Sequence, residues 1–108
     1  MWGNDLGDVS ILQSVPNLEV LALTVNQIDS LKDFAKCKKL KELYLRRNNI
    51  PPNYNELKYL QDLPNLKVLN LSENPISAAN PTNYRLVAIK YLPMLEKLDD
   101  IPVNFIER

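Results

Sequence analysis

Histidine is absent from this sequence, and only one cysteine, Cys37, and two glycines occur in its 108 residues. Without histidine the usual general base and the commonest metal ligand are missing. A lone thiol closes no intrachain disulfide and supplies too few ligands for a cysteine-based zinc site. Net charge is lacking as well. Thirteen basic residues balance thirteen acidic ones, so no overall field draws the chain to nucleic acid or to an anionic membrane. Its apolar runs fall far short of the roughly 20 residues needed to span a bilayer, and the N-terminus shows no charged-then-apolar signal pattern. These absences set the expectation of a soluble, cytoplasmic protein with no catalytic residue, no metal, no cofactor and no membrane contact.

What is present is leucine at fixed spacing. Hydrophobic residues make up 45% of the chain, enough for one core. The frame Leu18-x-x-Leu21-x-Leu23-x-x-Asn26-x-Ile28 returns as Leu40, Leu43, Leu45, Asn48 and Ile50, and again as Leu66, Leu69, Leu71, Asn74 and Ile76. Run backwards, it places Asn4 and Leu6 in an opening half-repeat, so the asparagines stand 22, 22 and 26 residues apart. A second ladder follows each asparagine: Ile28, Leu31, Phe34, Cys37 and Leu40, then Leu57, Leu60, Leu63 and Leu66 after an insertion around Pro51–Tyr54. Leu86, Ile89, Leu92, Leu95 and Leu98 continue it, with Val103 where the next asparagine would fall.

Periods of this length signal repeats that cannot bury their own apolar face and must stack. The expected architecture is an α/β solenoid of leucine-rich repeats, with a concave parallel β-sheet, a convex side of 3₁₀ or helical turns and a C-terminal helical cap. It is one domain over 1–108: a partial first repeat at 1–17, repeats at 18–39, 40–65 and 66–91, and a cap from about 81 to 108. Asn80-Pro81 reads as an N-cap with proline at the first helical position, leading into a helix through Tyr91 whose Leu86 and Ile89 cover the end of the core. Asn4, Asn26, Asn48 and Asn74 read as structural, their amides pairing with backbone groups at the turn after each strand. Cys37 sits on the ladder and reads as core.

Residues between the strand leucines face the concave side, because strand side chains alternate. They form rows: Val20, Glu42 and Val68; Ala22, Tyr44 and Asn70; Trp2, Thr24, Arg46 and Ser72; Gly3, Val25, Arg47 and Glu73. Tryptophan, tyrosine and arginine are enriched where binding energy concentrates. Trp2, Tyr44, Arg46, Arg47, Asn70 and Glu73 are therefore the expected partner-binding residues. The bland alternative is that Trp2 shields a strand edge and the arginines pair with Glu42 and Glu73. Lys32, Lys36, Lys38, Lys39 and Lys41 crowd one return segment; with no aromatic residues between them to stack bases, a solvated convex face accounts for them. Asp99-Asp100 has no third carboxylate nearby and belongs to the cap rather than to a metal site.

The 22-residue repeat resembles the SDS22-type class of leucine-rich repeats, and Tyr91-Leu92-Pro93-Met94-Leu95-Glu96-Lys97-Leu98-Asp99 resembles the cap that closes many members of it. More narrowly, Trp2-Gly3, the block from Leu43 to Pro51 and the block from Leu71 to Pro75 are similar to the family of cilia- and flagella-associated leucine-rich-repeat proteins of basal bodies. That resemblance implies an N-terminal recognition module, here a fragment, monomeric on its own. It further implies a protein that supports cilium assembly at the basal body and the associated cytoskeleton, with protein partners that include a NIMA-related kinase. It implies no small-molecule substrate and no nucleic acid. Two rival binders share the same scaffold: an SDS22-like regulatory subunit of a phosphatase, and a dynein light-chain-like adaptor that meets tubulin.

Overall fold

The computed structural model describes residues 18–104 and Ile106. Trp2, Gly3, Asn4 and the rest of the opening half-repeat lie outside the described residues. Three-residue strands β1 (Val20–Ala22), β2 (Glu42–Tyr44) and β3 (Val68–Asn70) are followed by two-residue strands β4 (Lys97–Leu98) and β5 (Ile101–Pro102). They form one sheet in sequence order, parallel from β1 to β4. Leu21, Leu43, Leu69 and Leu98 stand in register across it. Alternation turns this leucine row inward, and Leu43, Leu69 and Leu98 are fully buried.

Each strand returns along the convex side through a 3₁₀ segment, Lys32–Lys36 and then Tyr54–Leu60, or through the helices α1 (Pro75–Ala78) and α2 (Pro81–Tyr91). The second 3₁₀ segment is two residues longer than the first and starts at Asn53, whose side chain accepts a hydrogen bond from the Asn55 N–H. That capped, lengthened turn absorbs the insertion. Leu31, Phe34, Cys37, Leu57, Leu60 and Leu63 are buried against the strand leucines in one continuous core. Burial pushes the Cys37 thiol pKa up, as expected of an inert core thiol. No helix among the described residues is long and apolar enough to cross a membrane.

The asparagines tie neighbouring repeats together. Asn48 donates its amide to Leu23 O at 3.0 Å and Leu45 O at 2.9 Å, and its side-chain oxygen accepts from Ile28 N at 3.1 Å. One repeat on, Asn74 donates to Leu45 O and Leu71 O and accepts from Ile50 N. Asn26 donates to Leu23 O. No asparagine follows Asn74 in the frame. The Ser77 hydroxyl donates to Leu71 O at 2.8 Å instead, satisfying the carbonyl that the next asparagine would have served.

Two expectations about the end of the solenoid are corrected. Leu86 does not cover the core: it is 55% exposed, while Tyr84, Ala88 and Ile89 face inward. The Asn80 cap, whose side chain accepts from Asn83 N, sets the phase of α2. Leu86 then lies roughly 200° round the helix from Tyr84. The sheet also does not end parallel. After Leu98 the chain reverses through Asp99 and Asp100, at φ 53° and 68°, and β5 pairs antiparallel with β4. Two successive positive φ values are the requirement of a tight two-residue hairpin, and aspartate tolerates them. Val103 consequently does not occupy an asparagine slot; its N–H donates to Glu96 O.

Candidate partner-binding surface

The concave rows follow from the register: Val20, Glu42, Val68 and Lys97 align, and Ala22, Tyr44 and Asn70 align beside them. Beyond the strands the pairing continues, with Leu23 N to Tyr44 O, Val25 N to Arg46 O, Leu45 N to Asn70 O and Arg47 N to Ser72 O. This holds Thr24, Arg46 and Ser72 in one row and Val25, Arg47 and Glu73 in the next. Each residue of the last row takes a left-handed conformation, with φ of 60°, 60° and 58°. For a β-branched residue that geometry is strained. Val25→Asn, which tolerates it, is expected to raise stability by about 1 kcal/mol in a chemical-denaturation melt. A lower midpoint would mean that packing of the valine outweighs its strain.

Two short pairings order the side chains here. The Tyr44 hydroxyl donates to Glu42 Oε1. Arg46 Nε donates to Glu73 Oε2, and Arg47 Nε lies 3.8 Å from Glu73 Oε1, so one carboxylate serves two guanidinium groups. All three of these charged side chains are about half exposed, with Arg46 at 54% and Arg47 at 60%. Exposed pairs of this kind contribute little to stability and leave the guanidinium forks open to solvent.

Tyr44 carries an electrostatic signature. Its hydrogen bond to Glu42, with lesser help from burial and the nearby carboxylates, pushes the phenol pKa to about 12. The shift favours the neutral phenol, so the stabilisation it brings is complete below the usual tyrosine value near 10 and disappears as pH rises through 12. Glu42→Ala should return the Tyr44 titration toward about 10, read from its ring-carbon resonance. An unmoved titration would show that the carboxylate is not its partner.

Asn70 keeps its place in the row but is only 5% exposed. Its amide donates to Asp100 Oδ2 at 3.2 Å, and its oxygen accepts from Ser72 N and Ser72 Oγ. Those bonds spend the side chain on the wall of the solenoid, so it offers a partner little surface. Glu42 was outside the expected binding set, yet it orients Tyr44. The signal for it was its place directly before Leu43-Tyr44 in the outward-facing register. Lys32, Lys36, Lys38 and Lys39 are exposed on the convex return, whereas Lys41, also exposed, stands directly before β2, where its backbone joins the sheet ladder and its side chain pairs with Glu19 at 3.0 Å. Among the described residues no group of three or more histidine, cysteine, aspartate or glutamate side chains could hold a metal ion.

Comparison with known proteins agrees with this geometry. The family model described as Leucine Rich repeats (2 copies) matches residues 16–59, and Leucine Rich Repeat matches residues 65–85. The chain is 50% identical to the Homo sapiens Cilia- and flagella-associated protein 410 over 95% of its own length and 40% of that protein, so it spans about two fifths of this curated relative. Its structure is similar to a chain of the Drosophila melanogaster SNF/U2A' complex, with a TM-score of 0.73 at 27% identity over 85% of this chain and 52% of that one. It is also similar to an internalin C2 of Listeria monocytogenes, with a TM-score of 0.69 at 27% identity over 88% and 37% of the respective chains. The repeated leucine frame, the parallel sheet with its convex turns and these matches place the chain in one family: it belongs to the leucine-rich-repeat proteins, whose solenoids are protein-interaction modules.

Proposed function

We propose that this domain is the non-catalytic recognition module of a cilium- or flagellum-associated protein, and that it docks a protein partner on its concave face to support cilium assembly at the basal body. The observation that carries this reading is the cluster of half-buried Tyr44 with exposed Arg46, Arg47 and Glu73 at the middle of the sheet. The frame's own leucines and asparagines are buried and mutually satisfied beneath it. Aromatic and arginine side chains at the middle of a contact surface are where binding energy concentrates. The name of the human relative supports the ciliary assignment, and the similar Drosophila chain was solved in a complex. A NIMA-related kinase and other basal-body proteins are the partners this reading points to.

Proximity labelling with the full-length protein in a ciliated cell tests it. Basal-body proteins should dominate the labelled set, and their labelling should fall when the concave cluster is altered. Recovery of a phosphatase catalytic subunit or of tubulin in their place would overturn the ciliary reading in favour of a phosphatase regulator or a microtubule adaptor.

A further inference from the structure

Two guanidinium groups meet one carboxylate just beyond the middle strand. Backbone bonds from Val25 N to Arg46 O and from Arg47 N to Ser72 O extend the sheet there, so Arg46 and Arg47 project from fixed positions. Glu73 engages both at Nε: its Oε2 accepts from Arg46, and its Oε1 lies 3.8 Å from Arg47, an ion pair beyond hydrogen-bond reach. Among the described residues nothing accepts a hydrogen bond from the Nη groups of either arginine. The neighbouring carboxylates are turned to other partners. Glu42 accepts from the Tyr44 hydroxyl, and Asp100 accepts from the Asn70 amide. The cluster is thus left with one uncompensated positive charge and a set of N–H donors that face solvent.

A docking partner removes that solvent. An apolar segment pressed onto the cluster would leave guanidinium donors dry and unpaired, and a basic one would add repulsion; both are costly. A carboxylate meets the deficit. It accepts from the Nη groups that Glu73 leaves free, in the forked geometry that guanidinium favours, and brings the cluster to neutrality. A phosphate overshoots, because it carries a charge of about −2 and would stand close to Glu73. The extended sheet fixes the backbone beneath these side chains, so little more than their rotamers has to be ordered on binding.

We propose that the partner docked on the concave face presents an aspartate or glutamate side chain to the Nη groups of Arg46 and Arg47. Glu73 is the positioning residue: it orients both guanidinium groups and holds the site to a single further negative charge. This rests on the concave-face reading and adds to it the chemistry that is recognised.

The test uses an acetylated, amidated Glu-Ala-Glu-Ala peptide, its Gln-Ala-Gln-Ala counterpart and inorganic phosphate, each titrated at low salt into the 108-residue chain while the Arg46 and Arg47 Nε–H resonances are followed. The Glu peptide should shift both resonances saturably and bind about three- to tenfold more tightly than the Gln peptide. Arg46→Gln combined with Arg47→Gln, both at exposed positions, should erase that preference with the melt intact. Glu73→Gln keeps an acceptor for Arg46 Nε but removes the charge. It should tighten the Glu peptide about threefold and phosphate by more, turning a carboxylate site into one that accepts phosphate. The proposal is overturned if the two peptides bind the parent chain equally, if phosphate shifts the arginines at lower concentration than the Glu peptide, if the shifts fall on the convex lysines instead, or if Glu73→Gln fails to tighten the Glu peptide. The underlying reading fails separately: a Glu preference at the arginines, with basal-body recruitment that survives their charge reversal, keeps the carboxylate site and sinks that reading.

Discussion

Asn48→Ala is expected to lower the unfolding free energy by about 2–4 kcal/mol, a large share of the roughly 5–15 kcal/mol that holds a domain folded. The side chain is buried and joins two repeats: it donates to Leu23 O and Leu45 O and accepts from Ile28 N. Alanine orphans the Ile28 N–H, worth about 1–3 kcal/mol if it stays dry, and removes one of the two amide donors from Leu23 O and from Leu45 O, which keep those of Asn26 and Asn74. Water entering the vacated space recovers part of that loss, which sets the upper bound. Asn48→Asp should be no better, because an aspartate carboxylate would face two carbonyl oxygens where the amide donated. The exposed neighbour gives the control. Asn49→Ala is expected to change stability by about 0.5 kcal/mol or less. Denaturant midpoints that coincide for Asn48→Ala and Asn49→Ala would show that the asparagine ladder is decorative and that stacked leucines alone hold the repeats together.

How far the sequence reaches depends on whether one physical constraint acts alone. The strand leucines and asparagines are legible because the repeat period forces each residue type to the same depth in every coil. The register of Leu21, Leu43, Leu69 and Leu98 follows from the Leu-x-x-Leu frame of each coil, although the coils differ in length. Asn80-Pro81 is legible because a capping side chain and a fixed φ both belong at a helix start. Leu86 is not, since the ladder spacing of the 3₁₀ coils does not carry over to an α-helix whose phase is set by its cap. Asp99-Asp100 carried a turn signal, aspartates that accept positive φ, but the parallel frame pointed past it to Val103. The partnership of Ser77 with Asn74 was available as a capping pair at helix spacing. Asn70 shares its row with Ala22 and Tyr44, but its burial needed the hairpin, because Asp100 closes over it only when the chain turns back.

Tyr44→Ala combined with Arg46→Glu and Arg47→Glu should cut partner affinity at least about a hundredfold while changing stability by about 1 kcal/mol or less. Stability is spared because the arginines are exposed, and the ion partner they share, Glu73, is itself half exposed. Glutamate also meets the left-handed geometry at position 47, as Glu73 already does one repeat on. Affinity suffers because the three residues sit on or just beyond the middle strand, β2, with β1 and β3 on either side, where a docked partner excludes water most completely. Charge reversal adds repulsion to the loss of contact. It leaves Glu73 beside two new carboxylates, and any acidic group a partner brings to the arginines is then repelled. The matching convex variant, Lys36, Lys38 and Lys39 each changed to Glu, reverses three charges on an exposed return and should leave recruitment near that of the parent. Both variants are to be compared at matched helix and strand content by circular dichroism, in the full-length protein, with recruitment to the basal body as the readout. Loss of recruitment by the convex variant, with the concave one still recruited, would move the binding face to the lysine side of the solenoid.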